Sequence, residues 1–364
     1  MRRDGRLARV VVSGYYGFGN AGDEIILSVL LEALAGHEVT VLSANPAQTS
    51  RSHGVAAVPR ADAFAVLRAL RGSDLLVSGG GGLIQDATGM HSVLYYLGVV
   101  LLARAMRVPV AIYAQGLGPL RARSSRLLAR ALEGARMITV RDLESADLLR
   151  EVGIRRPVPE VTADAAFALP PPERGGPWPE VLEALGVEPG RPVVALAPRR
   201  WGGPDFYRYL GELAAALRDE LSSQVVLLPM QLPEDARVCQ AVASAAGEGV
   251  CVLGRSPTAG AFAALFGSFD LVVGMRLHAL ILASLARVPF IGLSYDPKIS
   301  AFMKSVGCEA STFPLLAPKD GILAAARGSL DAGALDDRVA ARVRGLQVLA
   351  ARNNERLAEV LASR

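Results

Sequence analysis

The chain is short of cysteine, of long apolar runs and of dense blocks of like charge, and each shortage closes off a class of protein. Its three cysteines, Cys239, Cys251 and Cys308, are odd in number, scattered and without metal-ligand spacing. That pattern fits neither a disulfide framework nor a metal site, and it points to a reducing compartment. The longest apolar run, Val93 to Ala103, stops at Arg104 and falls well short of the ~18 residues a spanning helix needs. The opening MRRDGRLARVVVSGYYG is basic but passes directly into a β-branched stretch and a glycine loop, with no signal-peptide core. Net charge is only +4, and no Lys/Arg block is dense enough for a nucleic-acid groove, so nucleic acid is not expected as a partner. Small anionic substrates, or anionic headgroups at a membrane surface, suit this balance better. The expectation is a cytoplasmic protein with room for peripheral contact at the inner face of the cytoplasmic membrane.

What is present reads as α/β. At 364 residues the chain exceeds one typical core and should divide in two. A hydrophobic share of 51% against 20% charged residues is that of a globular chain with strands buried on both faces. Strand-like runs at 8–14, 38–43, 74–78, 108–114 and 137–140 alternate with helical stretches, as in a doubly wound parallel sheet. LPPPERGGPWPE (169–180) is the clearest linker, since its prolines and glycines forbid regular structure. A second alternation follows, with strands at 193–198, 224–229, 250–253 and 270–275. The expected organisation is a Rossmann-like domain over 1–168, the linker 169–180, a second Rossmann-like domain over 181–335, and a helix within 336–364 that packs back across the first domain.

An internal echo supports two similar halves. In each, an Asp-led strand (from Asp74 or Asp270) ends at a special turn, a helix follows, and Arg-Val-Pro (Arg107 to Pro109, or Arg287 to Pro289) opens the next strand. Open α/β sheets bind ligands beyond the carboxyl ends of their strands. Both special turns are therefore expected to point into a cleft between the domains.

Several motifs lie at such ends. Gly17-Phe18-Gly19-Asn20-Ala21-Gly22 satisfies GxGxxG between strand and helix, but Ser43-Ala44-Asn45 stands where an NAD site wants an acid. The loop still offers backbone N–H groups at a helix N-terminus, with Asn20, Asp23 and Glu24 as polar neighbours. Asp23 and Glu24 also read as ordinary first-turn helix residues. The run Gly79 to Gly82, with Gly80 and Gly81 at its centre, allows close backbone approach but lacks the Lys-Ser/Thr of a P-loop. Gln85 and Asp86 follow it, placed either to grip sugar hydroxyls or to cap a helix. Arg141 directly follows a short apolar strand, and Asp142 is placed to cap the next helix; the pair suits an anion site or a rim ion pair. The strongest constellation is Arg276, Leu277 and His278 on the turn after strand 270–275, with Lys298 in the loop after the adjoining strand. It reads as an anion site holding a proton donor. No His/Cys/carboxylate cluster offers a metal site.

GYYGFGNAGDE, GGGGLIQDATG, TVRD with Ser145, and GMRLHALILA through VPFIGLSYDPK together resemble the polysaccharide pyruvyl transferases, and among them the CsaB-type branch that acts in cell-surface anchoring. The resemblance runs through nearly the whole chain in order. It implies a GT-B-like fold of two Rossmann-like domains facing a cleft. It also implies transfer of a pyruvyl group from phosphoenolpyruvate to a sugar, giving a 4,6-ketal and phosphate, with no cofactor beyond that co-substrate. The implied acceptor is ManNAc in a lipid-linked wall-polymer precursor. Arg141 and Arg276 are the implied phosphoenolpyruvate-binding arginines, His278 the catalytic histidine and Lys298 the motif lysine. Gly17, Asn20, Asp23, Gly80, Gly81, Gln85 and Asp86 are then expected on the acceptor side, and Arg141 is expected to complete the anion site. Gly89-Met90 and Ala165 depart from the family pattern, which leaves acceptor detail open. Two other readings remain: a nucleotide-sugar glycosyltransferase on the same architecture, and a non-catalytic sugar-binding protein.

Overall fold

A computed structural model describes residues 7–86, 90–174, 178–254 and 258–363. Gly89 and the expected linker's Gly175, Gly176 and Pro177 lie outside the described residues. The chain divides into two compact units: one runs through Leu169 and resumes at Leu346, the other is Pro170–Gly345.

The first unit holds strands β1 (Arg9–Ser13), β2 (Glu38–Ser43), β3 (Ala56–Pro59), β4 (Leu75–Ser78), β5 (Gly81–Ile84), β6 (Val110–Leu117), β7 (Met137–Val140) and β8 (Glu160–Val161). They form a parallel sheet in the order β3-β2-β1-β4-β6-β7-β8, with β5 paired to β6. The β-branched and leucine-rich runs of β1, β4 and β6 are buried because helices cover both faces. On one face Val11, Leu76, Ile112 and Ile138 pack against Val93, Leu97 and Val100 of the helix Met90–Ala105. Full burial of each such side chain is worth about 1.5–3 kcal/mol.

The second unit holds β9 (Val193–Ala197), β10 (Gln224–Leu227), β11 (Val250–Val252), β12 (Leu271–Gly274), β13 (Phe290–Ser294) and β14 (Thr312–Pro314), all parallel in the order β11-β10-β9-β12-β13-β14. Val194, Leu196, Leu271, Val273 and Ile291 pack against Leu210, Leu213 and Leu217 of the helix Pro204–Glu220.

The echo has a structural meaning. The Asp74 carboxylate accepts the Arg9 N–H at 2.8 Å, and the Asp270 carboxylate accepts the Val193 N–H at 2.9 Å. Each aspartate therefore fixes the start of the neighbouring strand in its own unit. Arg107 and Arg287, which open the two Arg-Val-Pro turns, both adopt left-handed backbone, φ 60° and 57°. The last helix, Asp337–Ala362, returns to the first unit. Its buried Asn353 accepts the Thr162 hydroxyl at 2.8 Å and donates to the Ala163 carbonyl at 3.2 Å. Among the described residues, no helix is long and apolar enough to cross a membrane.

Two local expectations are corrected. The glycine run is not purely a turn, because Gly81–Ile84 is strand β5. Gly81 takes φ +95°, and a Cβ there would stand 2.9 Å from Asp23 Oδ1, so only glycine lets the strand pass Asp23. Lys298 is not in a loop; it lies in the first turn of the helix Pro297–Val306, which Asp296 caps by accepting the Lys298 N–H at 3.1 Å.

Candidate active site

Each sheet has a point where strand order reverses, and the loops after the two flanking strands meet there at the carboxyl edge. In the first unit the flanking strands are β1 and β4, so the loop 14–20 and the start of the glycine run share that edge. Fully buried Tyr16 lies across it: a Cβ on Gly14 would stand 2.3 Å from its ring, and one on Gly79 would stand 2.1 Å from its hydroxyl. Burial first, then the charges of Asp23 and Glu24, push the Tyr16 phenol well up, so it stays protonated.

The acceptor-side candidates gather near this edge with definite structural jobs. Gly17 adopts φ +76° against β2's end, where a Cβ would stand 2.2 Å from the Ser43 hydroxyl, and its N–H donates to Glu24 at 2.8 Å. Glu24 is held in turn by His53 at 2.8 Å. Asn20 caps the helix Ala21–Ala33 by accepting the Gly22 N–H at 3.1 Å. Gly80 is buried beneath Ile26 and Ala114, and Gln115 donates to the Gly81 carbonyl at 2.7 Å. Gln85 is half-buried. Asp86 accepts the Arg121 N–H at 2.8 Å and the Ser124 hydroxyl at 2.7 Å, capping the helix Ala122–Leu132, which has no side-chain cap of its own. Those two hydrogen bonds hold its carboxyl below the usual range.

Arg141 joins this group. A Cβ on Gly116 would stand 2.4 Å from Arg141 Nε, and one on exposed Gly82 would stand 3.7 Å from its Nη2. The guanidinium thus lies flat on glycine backbone beside the glycine run. Its Nη1 donates to Asp164 at 2.9 Å, and Asp142 lies 3.5 Å from Nε. Burial opposes its charge, but Asp164 and then Asp142 outweigh it, and its pKa moves up.

In the second unit the flanking strands are β9 and β12, joined at their ends where the Met275 N–H donates to the Ala197 carbonyl at 3.0 Å. Arg276 is the N-terminal flanking residue of the helix Leu277–Leu285, with half-buried Leu277 and His278 in its first turn. A fully buried aspartate holds Arg276 in a two-bond fork: Nε donates to Asp235 Oδ2 at 2.9 Å and Nη2 to Oδ1 at 2.6 Å. Nη2 also reaches Gln231 Oε1 at 3.4 Å, and among the described residues Nη1 makes no hydrogen bond. Lys298 Nζ lies 3.3 Å from Asp296.

Sequence reasoning missed Arg199. It stands two residues after β9, as Arg276 stands two after β12, so the rule that singled out Arg276 also points to it. Arg199 donates to the Tyr295 hydroxyl and lies 4.7 Å from the centre of that ring. Trp201, 45% exposed, packs against Tyr295 with the ring centres 5.2 Å apart. Burial raises the Tyr295 phenol against the opposing effect of Arg199. Among the described residues Arg199 has no carboxylate partner, whereas Arg141, Arg276 and Lys298 each have one. Among the described residues Arg199, Arg276 and Lys298 thus follow the ends of β9, β12 and β13, and Asp235 and Asp296 pair with the last two.

Two concavities, one against Ser73 and Arg136 and one against Arg191 and Gln224, lie at the amino ends of strands, away from every candidate residue. The candidate charged groups lie instead at the carboxyl edge of each sheet. Among the described residues no group of three His, Cys, Asp or Glu is placed to hold a metal ion.

Two Rossmann-like sheets, each with a switch point, give the chain a GT-B-like fold. It is similar over 99% of its length to 97% of a UDP-N-acetylglucosamine 2-epimerase (TM-score 0.65, 15% identity). The UDP-GlcNAc 2-epimerase from Neisseria meningitidis, solved bound to UDP-GlcNAc, matches over 98% of this chain and 100% of that one (TM-score 0.61, 12% identity). A glycosyltransferase from Rickettsia africae matches over 96% and 94% (TM-score 0.57, 11% identity). At these identities the likeness shows the fold alone. No curated protein matches the chain in sequence. Residues 20–297, more than half the chain, match the model of the polysaccharide pyruvyl transferase family. The chain belongs to that family and is a transferase. The matched span includes Arg141, Arg199, Arg276 and His278, and ends one residue before Lys298.

Proposed function

We propose that the protein transfers the pyruvyl group of phosphoenolpyruvate to a sugar of a polysaccharide precursor, forming a cyclic ketal and releasing phosphate. What supports this reading is that Arg199, Arg276, His278 and Lys298 all follow the carboxyl ends of neighbouring strands of one sheet, β9, β12 and β13. Phosphoenolpyruvate carries a carboxylate and a phosphate, and charge-assisted hydrogen bonds from these side chains suit both. Arg276 contributes through Nη1 while Asp235 fixes the rest of its fork. Arg141 is the other arginine that the family resemblance assigns to phosphoenolpyruvate.

The reaction balances without a cofactor. His278, protonated, gives its proton to the methylene carbon, the C=C bond becomes a methyl group, and the adjacent carbon becomes oxocarbenium-like. One sugar hydroxyl adds there and loses its proton. The C–O bond to phosphate then breaks, its charge stabilised by the cations. The second hydroxyl adds to the same carbon and loses its proton, closing the ketal. Asp23 and Asp86 are the candidates for the base that takes the hydroxyl protons, and Asp86 is already tied into a helix cap.

The acceptor proposed is a ManNAc residue of a lipid-linked wall-polymer precursor, which suits a role in S-layer anchoring and contact with the inner membrane face. Phosphate release from phosphoenolpyruvate, measured with ManNAc-, galactose- and glucose-ended acceptors, tests the reading. Release should require an acceptor and be fastest with ManNAc. Release indifferent to acceptor, or thermal stabilisation by UDP and not by phosphoenolpyruvate, would overturn it in favour of a nucleotide-sugar enzyme.

A further inference from the structure

The helical layer on one face of the first unit's sheet carries charge of one sign. The helices Ala63–Leu70, Met90–Ala105 and Ala122–Leu132 contain no aspartate or glutamate. Between Asp86 and Glu133 the sequence has six arginines and no acid, although over the whole chain the two signs nearly balance, 39 against 35. The connections from β3 to β4, β5 to β6 and β6 to β7 all run the same way across the sheet, which sets these helices side by side. They share one core, through Val66 and Leu70, Val93 and Leu97, and Leu128 and Leu132. Their other sides therefore form one outer surface.

Two features mark that surface. Arg68, Arg71, Arg123, Arg126 and Arg130 are exposed on it, and among the described residues none of the five is in an ion pair. Asp62, at the start of the layer, is used as a helix cap, accepting the N–H groups of Phe64 and Ala65 at 2.9 and 3.1 Å. Acids return only at Glu133 and on the helix Leu143–Glu151, which bounds the surface. The second feature is apolar: Phe64 is 81% exposed, Leu94 50% and Leu67 42%. Phe64 and Leu67 stand at helical spacing from Arg68 and Arg71, so bulky apolar groups and unpaired cations project together. Anionic headgroups suit the guanidinium charges, and the acyl boundary beneath them suits the ring and the leucines.

We propose that this helical face docks the protein on a bilayer containing anionic lipid, with Phe64, Leu67 and Leu94 entering the headgroup layer and the arginines held on lipid phosphates. Each of the three helices follows the carboxyl end of a strand, and Phe64, Leu94 and Arg123 lie in the first two turns. The docking face thus runs up to the carboxyl edge that carries the acceptor-side residues, so docking holds that edge near the membrane surface. The inference rests on the reading of contact with the inner membrane face, and it gives that contact a surface and a lipid class.

The test is co-sedimentation of the full chain with vesicles of phosphatidylcholine alone and of phosphatidylcholine mixed with phosphatidylglycerol. Binding to the anionic vesicles should be about 100-fold tighter and should weaken as salt rises. An arginine near such a surface is worth about fivefold, so Arg123→Gln, Arg126→Gln and Arg130→Gln together should weaken binding about 100-fold. Phe64→Ser, which leaves the charge unchanged, should weaken it about tenfold. The same loss of charge at exposed positions off this face, Arg155→Gln, Arg156→Gln and Arg191→Gln together, should change it less than about threefold. Equal binding to both kinds of vesicle, or equal losses from the two triple variants, overturns the docking face. Binding to soluble polyphosphate as tight as to anionic vesicles, with no effect of Phe64→Ser, would assign the face to a polyanion and overturn the bilayer. Phosphate release with a lipid-free acceptor should be the same in every variant. Failure of the ketal chemistry would show instead as absent phosphate release in the unaltered protein, so the two failures are told apart.

Discussion

Arg276 has two jobs, and replacing it should expose the structural one first. Its guanidinium forks onto Asp235, whose side chain has no exposed surface, through bonds of 2.9 and 2.6 Å. The other hydrogen bond to this carboxylate is the Gln231 N–H at 3.0 Å, too little to stabilise a buried charge alone. Arg276→Ala therefore leaves an uncompensated carboxylate in the second unit, at a cost of about 3–5 kcal/mol. For a unit of that size each kcal/mol lowers Tm by roughly 2–4 °C, so the transition should fall by about 6–20 °C. Arg276→Met combined with Asp235→Leu removes both charges and should recover most of the loss, because a buried pair is often no more stabilising than well-packed apolar side chains. Thermal unfolding followed by circular dichroism reads both effects. A shift under about 2 °C for Arg276→Ala, or a double variant as unstable as the single one, would refute the buried fork. Activity lost by Arg276→Ala informs on phosphoenolpyruvate only at a temperature where the variant is folded.

Three other outcomes are expected. Arg199→Ala should raise the KM for phosphoenolpyruvate about 10- to 100-fold, the worth of a charge-assisted hydrogen bond, with little change in Tm; an unchanged KM removes Arg199 from the site. Asp86→Ala should cost about 1 kcal/mol in urea unfolding at pH 7 through the lost helix cap. Because the folded Asp86 pKa is depressed, that contribution is present above the unfolded pKa of about 4 and lost as pH falls through the folded value, so wild type and variant should converge in acid. Tyr16→Phe removes a buried hydroxyl that has no hydrogen-bond partner among the described residues and should be neutral or raise stability by about 1 kcal/mol; a loss above 1 kcal/mol would show that the hydroxyl is satisfied.

The sequence carried the strands and the switch-point turns well, because the runs at 9–13, 75–78, 193–197 and 271–274 are apolar, β-rich and bounded by aspartate, glycine or proline. The Asp-led echo was legible for a physical reason, since each aspartate grips the strand beside it. Less legible was anything set by pairing across the chain. Strand Gly81–Ile84 is rich in glycine and gains its shape from Gln115 and Asp23, which no local propensity reports. The carboxylate partners of the site cations lie 23 residues from Arg141 and 41 from Arg276, and only the fold brings them together. Arg199 was within reach of sequence reasoning, since it sits just past a strand end.

The central claim is that His278 protonates the methylene carbon of phosphoenolpyruvate. Running the reaction in heavy water and weighing the ketal product tests this directly. One deuterium should enter the new methyl group for every phosphate released, and His278→Ala, still folded and still binding phosphoenolpyruvate, should lose both signals. A product methyl without solvent deuterium, or undiminished deuterium incorporation and turnover in His278→Ala, would contradict it.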